Sequence, residues 1–332
     1  MNARATATGA GRALLDALSG CERVLLTGPL DPDGDSLGAC LTLQRVLRAQ
    51  GVPADVTGEP SYRYTWMPGA HNLLSDDALK EHYDAVVVLD GDRHRLTPGV
   101  HAAFERAPVK GIIDHHASTR PDGYTVLWLD AAATSTCEMI YELLGDLGHP
   151  VDTDIAALLY AGAIFDTGGF RHSNTTPQTH RMAAHLLSLG IDHASISAKV
   201  LMERRQAGVR AAGRVLSGAS FALDGALAIG AVPLSMRREL GLLPGDLEGI
   251  VDGLVHTVGV EVAVLLIQHS DQRVKASLRS GGSLDVAALA QRLAPSGGGH
   301  QKAAGALIEA PVAEAETRVR EVVAAMFQER VP

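Results

Sequence analysis

Apolar residues in the first part of the chain fall into short runs separated by helical repeats. Arg23 to Thr27 (RVLLT), Ala54 to Thr57, Ala85 to Leu89 (AVVVL) and Val109 to Ile113 (VKGII) are such runs. The last two are rich in β-branched residues, as strands buried on both faces of a parallel sheet are. Leu37 to Gln50 has apolar positions at helical spacing and stops before Gly51, a residue suited to a C-terminal cap. Thr136 to Leu147, Asp154 to Phe165 and Pro177 to Leu189 predict further helices. Strand alternating with helix predicts an α/β fold with a doubly wound parallel sheet.

The pattern changes near Gly190. Ile191 to Gly213 reads as a mostly helical connector, and from Ser217 onward strands dominate: ASFAL, ALAIGAV, VEVAVLLIQ and VKASLRS. Helices are predicted at Pro244 to His256, Leu284 to Leu293 and Val312 to Gln328. The expected organisation is a first domain over 1–190, a connector over 191–216 and a smaller α+β domain over 217–332.

A chain of 332 residues suits two cores better than one. With 46% apolar and 20% charged residues it can bury them and is expected to be globular. The net charge of -9 argues against a broad grip on long duplex nucleic acid, while leaving room for a small anion in a local basic pocket. No apolar run reaches membrane-span length, so no membrane association is expected. The N-terminal stretch MNARATATGAGRALLDALSG lacks a hydrophobic block followed by a small-residue cleavage site, so no signal peptide is expected. Cys21, Cys40 and Cys137 are scattered, with no CxxC, which points to a reducing cytoplasm.

Candidate chemistry gathers where predicted strands end or helices start, where open α/β sheets bind ligands. Asp31, Asp33 and Asp35 follow the first strand; on an extended segment residues two apart share a face, so these carboxylates can converge. Asp90 follows AVVVL, with Asp92 and Arg95 close behind; Asp114, His115 and His116 follow GII; Asp166 precedes Phe170 and Arg171. A lone Asp after a strand is commonly a cap or turn former. Four such positions together carry ligand-type side chains, and carboxylates with imidazoles suit a borderline-hard divalent ion such as manganese. Two ions sharing a bridging ligand activate water and clamp the attacking and leaving oxygens of a phosphoryl transfer. In the second domain, Gly297, Gly298, Gly299 and His300 offer backbone amides to an anion, and Arg279, in SLRS, offers a guanidinium.

The segments PDGDSLGA, VVVLDGDR, GIIDHHAST, AGAIFDTGGFRHSNTTPQTHRMAAHLL, VKASLRS and GGGHQKAAGA occur in an order that resembles the DHH phosphoesterase family. The similarity spans nearly the whole chain and is nearest to the nanoRNase and pAp-phosphatase subgroup, a DHH domain followed by a DHH-associated domain. The resemblance implies two Mn2+ ions, with Mg2+ or Co2+ as substitutes. It places Asp33 on the first ion, Asp90 between both, and Asp35, His115 and Asp166 on the second. His116 would contact the scissile phosphate or protonate a leaving group, and Asp114 would orient an imidazole. Arg279, Ser280, His300 and the Gly297 to Gly299 backbone would hold another phosphate or the nucleotide, with Arg171 a further anion contact. A homodimer is compatible with the family.

One position departs from the pattern. The subgroup usually opens HxxPDxD, but Pro29 stands at the histidine, with no donor atom. Asp31-Pro32-Asp33-Gly34-Asp35 instead resembles the DxDxD of RecJ-type exonucleases, which makes Asp31 a candidate ligand. The implied activity is hydrolysis of short single-stranded RNA or DNA oligonucleotides, or of 3′-phosphoadenosine 5′-phosphate (pAp). The residues leave two alternatives open: a phosphodiesterase for cyclic or linear dinucleotides, and a nucleotide-binding regulator weakened by Pro29.

Overall fold

The computed structural model describes residues 3–330. Met1 and Asn2 of the N-terminal stretch, and Val331 and Pro332 of the expected second domain, lie outside the described residues. The chain divides into two compact units, Met1–Glu203 and Arg204–Pro332.

The first unit runs α1 (Ala3–Leu18), β1 (Val24–Thr27), α2 (Gly34–Ala49), β2 (Ala54–Thr57), β3 (Ala85–Leu89), α3 (Pro98–Arg106), β4 (Val109–Asp114), β5 (Val126–Leu129), α4 (Thr136–Leu147), α5 (Thr153–Asp166), α6 (Pro177–Ser188) and α7 (His193–Ser197). Its five strands are all parallel, in the order β2-β1-β3-β4-β5. Strand β3 is buried along its whole length. Val87 and Leu89 join the core with α2, α4 and α5, while Val86 and Val88 pack with Val100 and Phe104 of α3 on the other face. Burial of each such side chain contributes about 1.5–3 kcal/mol, which is why an uninterrupted apolar run becomes the central strand. The chain reverses its winding between β1 and β3, and open α/β sheets bind ligands at the carboxyl ends of the strands beside such a reversal.

Two local features differ from the sequence expectation. Helix α2 begins at Gly34, earlier than Leu37, because Asp33 caps it. Asp33 Oδ1 accepts the Asp35 and Ser36 amides at 3.0 and 3.1 Å, and Ser36 Oγ accepts the Asp33 amide at 3.0 Å. The acidic segment is therefore a helix entry rather than an extended ribbon, and Asp35 points from the first helical turn. Helix α1 was not predicted; its first turns are Ala, Thr and Gly, yet Leu14 and Leu18 are buried.

The second unit runs α8 (Gln206–Ser217), β6 (Ser220–Ala222), β7 (Leu227–Val232), α9 (Leu234–Leu240), α10 (Ile250–Val255), β8 (Val262–Ser270), β9 (Arg273–Ser280), α11 (Val286–Leu293), β10 (Gly298–Gly299), β11 (Ala303–Ile308) and α12 (Val312–Gln328). Its six strands form a mixed sheet, β10-β11-β9-β8-β7-β6, with only β7 and β8 parallel. One face packs on α11 and α12, the other on α8 and α10. The helix predicted over 244–256 is broken into a 3-10 turn and α10, because Gly249 between them adopts φ 73°. Among the described residues, no helix is long and apolar enough to cross a membrane.

Candidate metal centre

Four side chains from four elements meet at the switch point of the parallel sheet. Ligand-type atoms of Asp35, Asp90, His115 and Asp166 all lie within 4.8 Å of one another. A second set, Asp90, Asp114, His115 and His116, meets the same criterion and shares two members with the first. The first set combines three carboxylates and one imidazole from the first helical turn of α2, the end of β3, the residue after β4 and the last residue of α5.

Each donor is held by a local device. Asp90 follows β3 in the left-handed region, at φ 61°, one of the few non-glycine residues there. That turn is sterically costly for a side chain other than Asn or Asp, and such strain gathers at functional sites. The Asp90 amide donates to the Ile113 carbonyl at 2.9 Å, and the Thr136 hydroxyl reaches Asp90 Oδ1 at 3.4 Å. Asp35 is fully buried; its two oxygens accept the Thr136 and Cys137 amides, at 2.6 and 2.9 Å, so the N-terminus of α4 grips the carboxylate. The approach of α5 depends on Gly162: a Cβ there would sit 2.4 Å from Cys137 Sγ and 2.5 Å from Asp35 Oδ1. Gly162→Ala is expected to lower stability by about 1–3 kcal/mol through overpacking and to weaken divalent-ion binding, measured by thermal melts and calorimetric titration.

Asp166 occupies an unexpected position. The sequence reading placed the four polar clusters at strand ends or helix starts; Asp166 is instead the last residue of α5. A carboxylate at a helix C-terminus faces the negative end of the helix dipole, so its charge demands a cation. His115 supplies one in this structure, with Nε2 3.0 Å from Asp166 Oδ2 and 3.5 Å from Asp90 Oδ1.

The electrostatics point the same way. Burial, then the charges of Asp90, Asp166 and Asp35, hold the Asp33 carboxyl well above its ordinary range. Burial and the Asp90 charge push Asp35 up to about 6. Burial and the Asp35 charge hold Asp166 well above its ordinary range. Burial alone would lower His115, yet hydrogen bonding to Asp166 and Asp90 and their charges push it up to about 12. Burial would raise Asp90, but the hydrogen bond from His115 and the charges of His116 and His115 keep it below its usual value. Buried carboxylates that raise one another's pKa and hold a His115 imidazole among them form a site whose negative charge favours a cation. The donors are oxygen and imidazole, and the nearby thiols of Cys40 and Cys137 are pushed up by burial and by Asp charges, so they stay protonated. This set fits a borderline-hard divalent ion rather than a thiolate-seeking one.

Asp114 serves His116. Its Oδ1 lies 2.6 Å from His116 Nδ1 and accepts the His116 amide at 3.2 Å, while Oδ2 accepts the Thr119 hydroxyl. These bonds fix the ring and its protonated nitrogen. Asp31 is exposed and belongs to neither donor set. Pro29 is buried, its ring against Gly91 beside Asp90. Arg171 is exposed, and its Nε donates to the Gly168 carbonyl at 2.6 Å.

In the second unit, pairing of β9 with β11 sets Arg279 opposite Ala303, and pairing of β10 with β11 sets Gly298 opposite Gly305. Arg279, Ser280, Gly298, Gly299 and His300 therefore gather at one end of neighbouring strands. The Arg279 guanidinium is braced by Asp252 at 3.0 Å, and Ser280 Oγ donates to the Gly282 carbonyl at 3.2 Å. Gly297 is required by packing, since a Cβ would fall 1.9 Å from the Ala290 carbonyl oxygen.

Sequence reasoning missed Thr136, Cys137 and Gly162. Ser135 with Glu138 three residues on is a helix-start signature that locates α4. What that helix start would grip is set by residues about a hundred positions away and has no local signal.

Comparison with known proteins agrees with this geometry. Residues 23–163 match the DHH family, N-terminal domain, and residues 227–329 match the DHHA1 domain. The bifunctional oligoribonuclease and PAP phosphatase NrnA of Thermus thermophilus is 32% identical over 299 residues, covering 89% of this chain and 87% of that protein. An exopolyphosphatase-related protein from Bacteroides fragilis has the same fold, with TM-score 0.85 at 24% identity over 96% of each chain. RecJ from Thermus thermophilus, solved in complex with Mn2+, is a more distant fold relative, with TM-score 0.56 at 17% identity over 96% of this chain and 55% of that one. The chain belongs to the DHH family and is a hydrolase acting on phosphoester bonds.

Proposed function

We infer that the protein is a manganese-dependent phosphohydrolase that removes nucleotides from very short oligonucleotides and the 3′-phosphate from pAp. The observation that carries this reading is the convergence of Asp35, Asp90, His115 and Asp166 in a chain similar to NrnA over most of its length. Asp35, His115 and Asp166 would hold one ion; Asp90 would hold it jointly with a second, which Asp33 would bind, with Asp31 the nearest further carboxylate in the loop. Bound there, the ions activate water and neutralise charge developing on the phosphoryl oxygens.

The remaining residues position and transfer. Asp114 and Thr119 hold the His116 ring, which places an imidazole beside the ion donors to protonate the departing oxygen. Arg279, Ser280, the Gly297 to Gly299 backbone and His300 form a second anion-binding set for another phosphate, and Arg171 is a further contact. A net charge of -9 and 4% aromatic residues favour short substrates, because long single strands need a basic track with stacking platforms. Three free cysteines, two of them buried, favour work in a reducing cytoplasm.

The test is a substrate panel with MnCl2: a ribodinucleotide, a five-residue RNA, a long single-stranded RNA, pAp, and matched linear and cyclic dinucleotides. Products are resolved by length and by phosphate release. Turnover of the dinucleotide and pAp, with the long strand spared, is expected. Preference for a cyclic dinucleotide would move the assignment to a cyclic-nucleotide phosphodiesterase. Tight nucleotide binding with no product would make the protein a regulator.

A further inference from the structure

Glu138 lies on α4, is 4% exposed, and belongs to neither donor set. Its Oε2 accepts the Thr134 amide at 2.8 Å and the Thr134 hydroxyl at 2.7 Å; its Oε1 accepts the Thr179 hydroxyl of α6 at 3.3 Å. A buried carboxylate is costly unless its oxygens are satisfied; here Oε2 takes both bonds from Thr134, and Oε1 ties that pair to Thr179 of α6. In a capping box the residue at this position reaches back to the N-cap amide. Glu138 reaches one residue further, past the cap Ser135.

What Thr134 leads into gives that bond its meaning. Ser135 caps α4, and Thr136 gives its amide to Asp35 and its hydroxyl to Asp90. The Thr134 carbonyl accepts Asn174 Nδ2 at 3.2 Å, and the same nitrogen lies 3.3 Å from the Asp166 carbonyl. Three of the four donors in the first set are thus tied to the segment that Glu138 anchors. We propose that Glu138 is a positioning residue of the metal centre, acting through Thr134 to set Asp35, Asp90 and Asp166 at ligand spacing. The proposal rests on the metal-centre reading given above.

The test is calorimetric titration of MnCl2 into the metal-stripped full chain, with folding checked by circular dichroism. Glu138→Met removes the acceptors at similar volume and is expected to weaken Mn2+ binding roughly 10–100-fold, as loss of an outer partner of a metal ligand does. Glu138→Gln keeps an acceptor for Thr134 and is expected to bind within about threefold of wild type. A folded Glu138→Met that binds like wild type, or a Glu138→Gln that binds as weakly as Glu138→Met, would overturn the proposal. If Glu138→Met does not fold, Thr134→Val deletes the hydroxyl at the other end of the bond: weakening of several-fold sustains the proposal, and wild-type affinity overturns it. If the wild-type chain itself takes up no Mn2+, the metal-centre reading falls first, and this inference with it.

Discussion

Asp90→Asn is expected to reduce turnover of pAp and of a ribodinucleotide at least about 10³-fold, beyond the 10–100-fold typical of an outer-shell change. Asn is chosen because it tolerates the left-handed backbone that Asp90 adopts at φ 61°. The fold should therefore survive while one anionic donor is lost. Asp90 is the carboxylate common to both donor sets, which also share His115, so one substitution depletes both. Elemental analysis of the purified variant should show fewer bound ions per chain than wild type, with an unchanged circular dichroism spectrum. Activity within tenfold of wild type would remove Asp90 from the centre of the mechanism.

The metal-free protein is expected to lose stability between pH 5 and pH 8 and to recover it when Mn2+ is added. Asp35 has its pKa raised on folding from 3.8 to about 6, and Asp33 and Asp166 move in the same direction. A carboxyl raised on folding contributes stability below its unfolded value and loses it as pH rises through the folded value. His115, pushed up to about 12, works with the same sign above its unfolded value. Asp90, lowered on folding, works in the opposite sense, below the ordinary carboxylate range and so outside this window. Of the stability lost between pH 5 and pH 8, Asp35 alone accounts for about 1.4 kcal/mol, since the rest of its contribution is lost below pH 5; that is roughly 3–6 °C in Tm for a unit of about 200 residues. A dication replaces the lost protons and adds its own binding free energy. Thermal melts with EDTA and with MnCl2, at pH 5 and pH 8, should show the larger metal-induced rise at pH 8. An equal rise at both values would mean that the carboxylates are not coupled to the ion.

The central strands were legible because burial on both faces leaves no polar positions, so AVVVL and GII declare themselves. Strand β11 was not legible: AAGALI is Ala- and Gly-rich, and it becomes a strand through pairing with β9 rather than through its own propensity. Strand β5 was missed because it has only four residues at the sheet edge, with Trp128 alone fully buried. Asp35, Asp90, His115 and Asp166, which the structure brings together, were legible as side-chain types near element ends; Asp31 and Asp33, read in the same way, belong to neither donor set. The supports of those four were not, since the Thr136 amide on Asp35 and the Gly162 gap join segments far apart in sequence. Asp33 had a second role that its spelling obscured: it caps α2, and that helix entry replaces the extended ribbon imagined for the acidic loop.

Asp166 closes α5 with a carboxylate where a lysine, an arginine or a neutral glycine would suit the helix better. If Asp166 holds the ion as proposed, selection for a sturdy metal-free fold and selection for chemistry pull this position in opposite directions. Laboratory evolution for heat resistance alone, run without divalent ions, would then favour replacements at residue 166, and on this reading each gain there would erode the enzyme it was meant to improve.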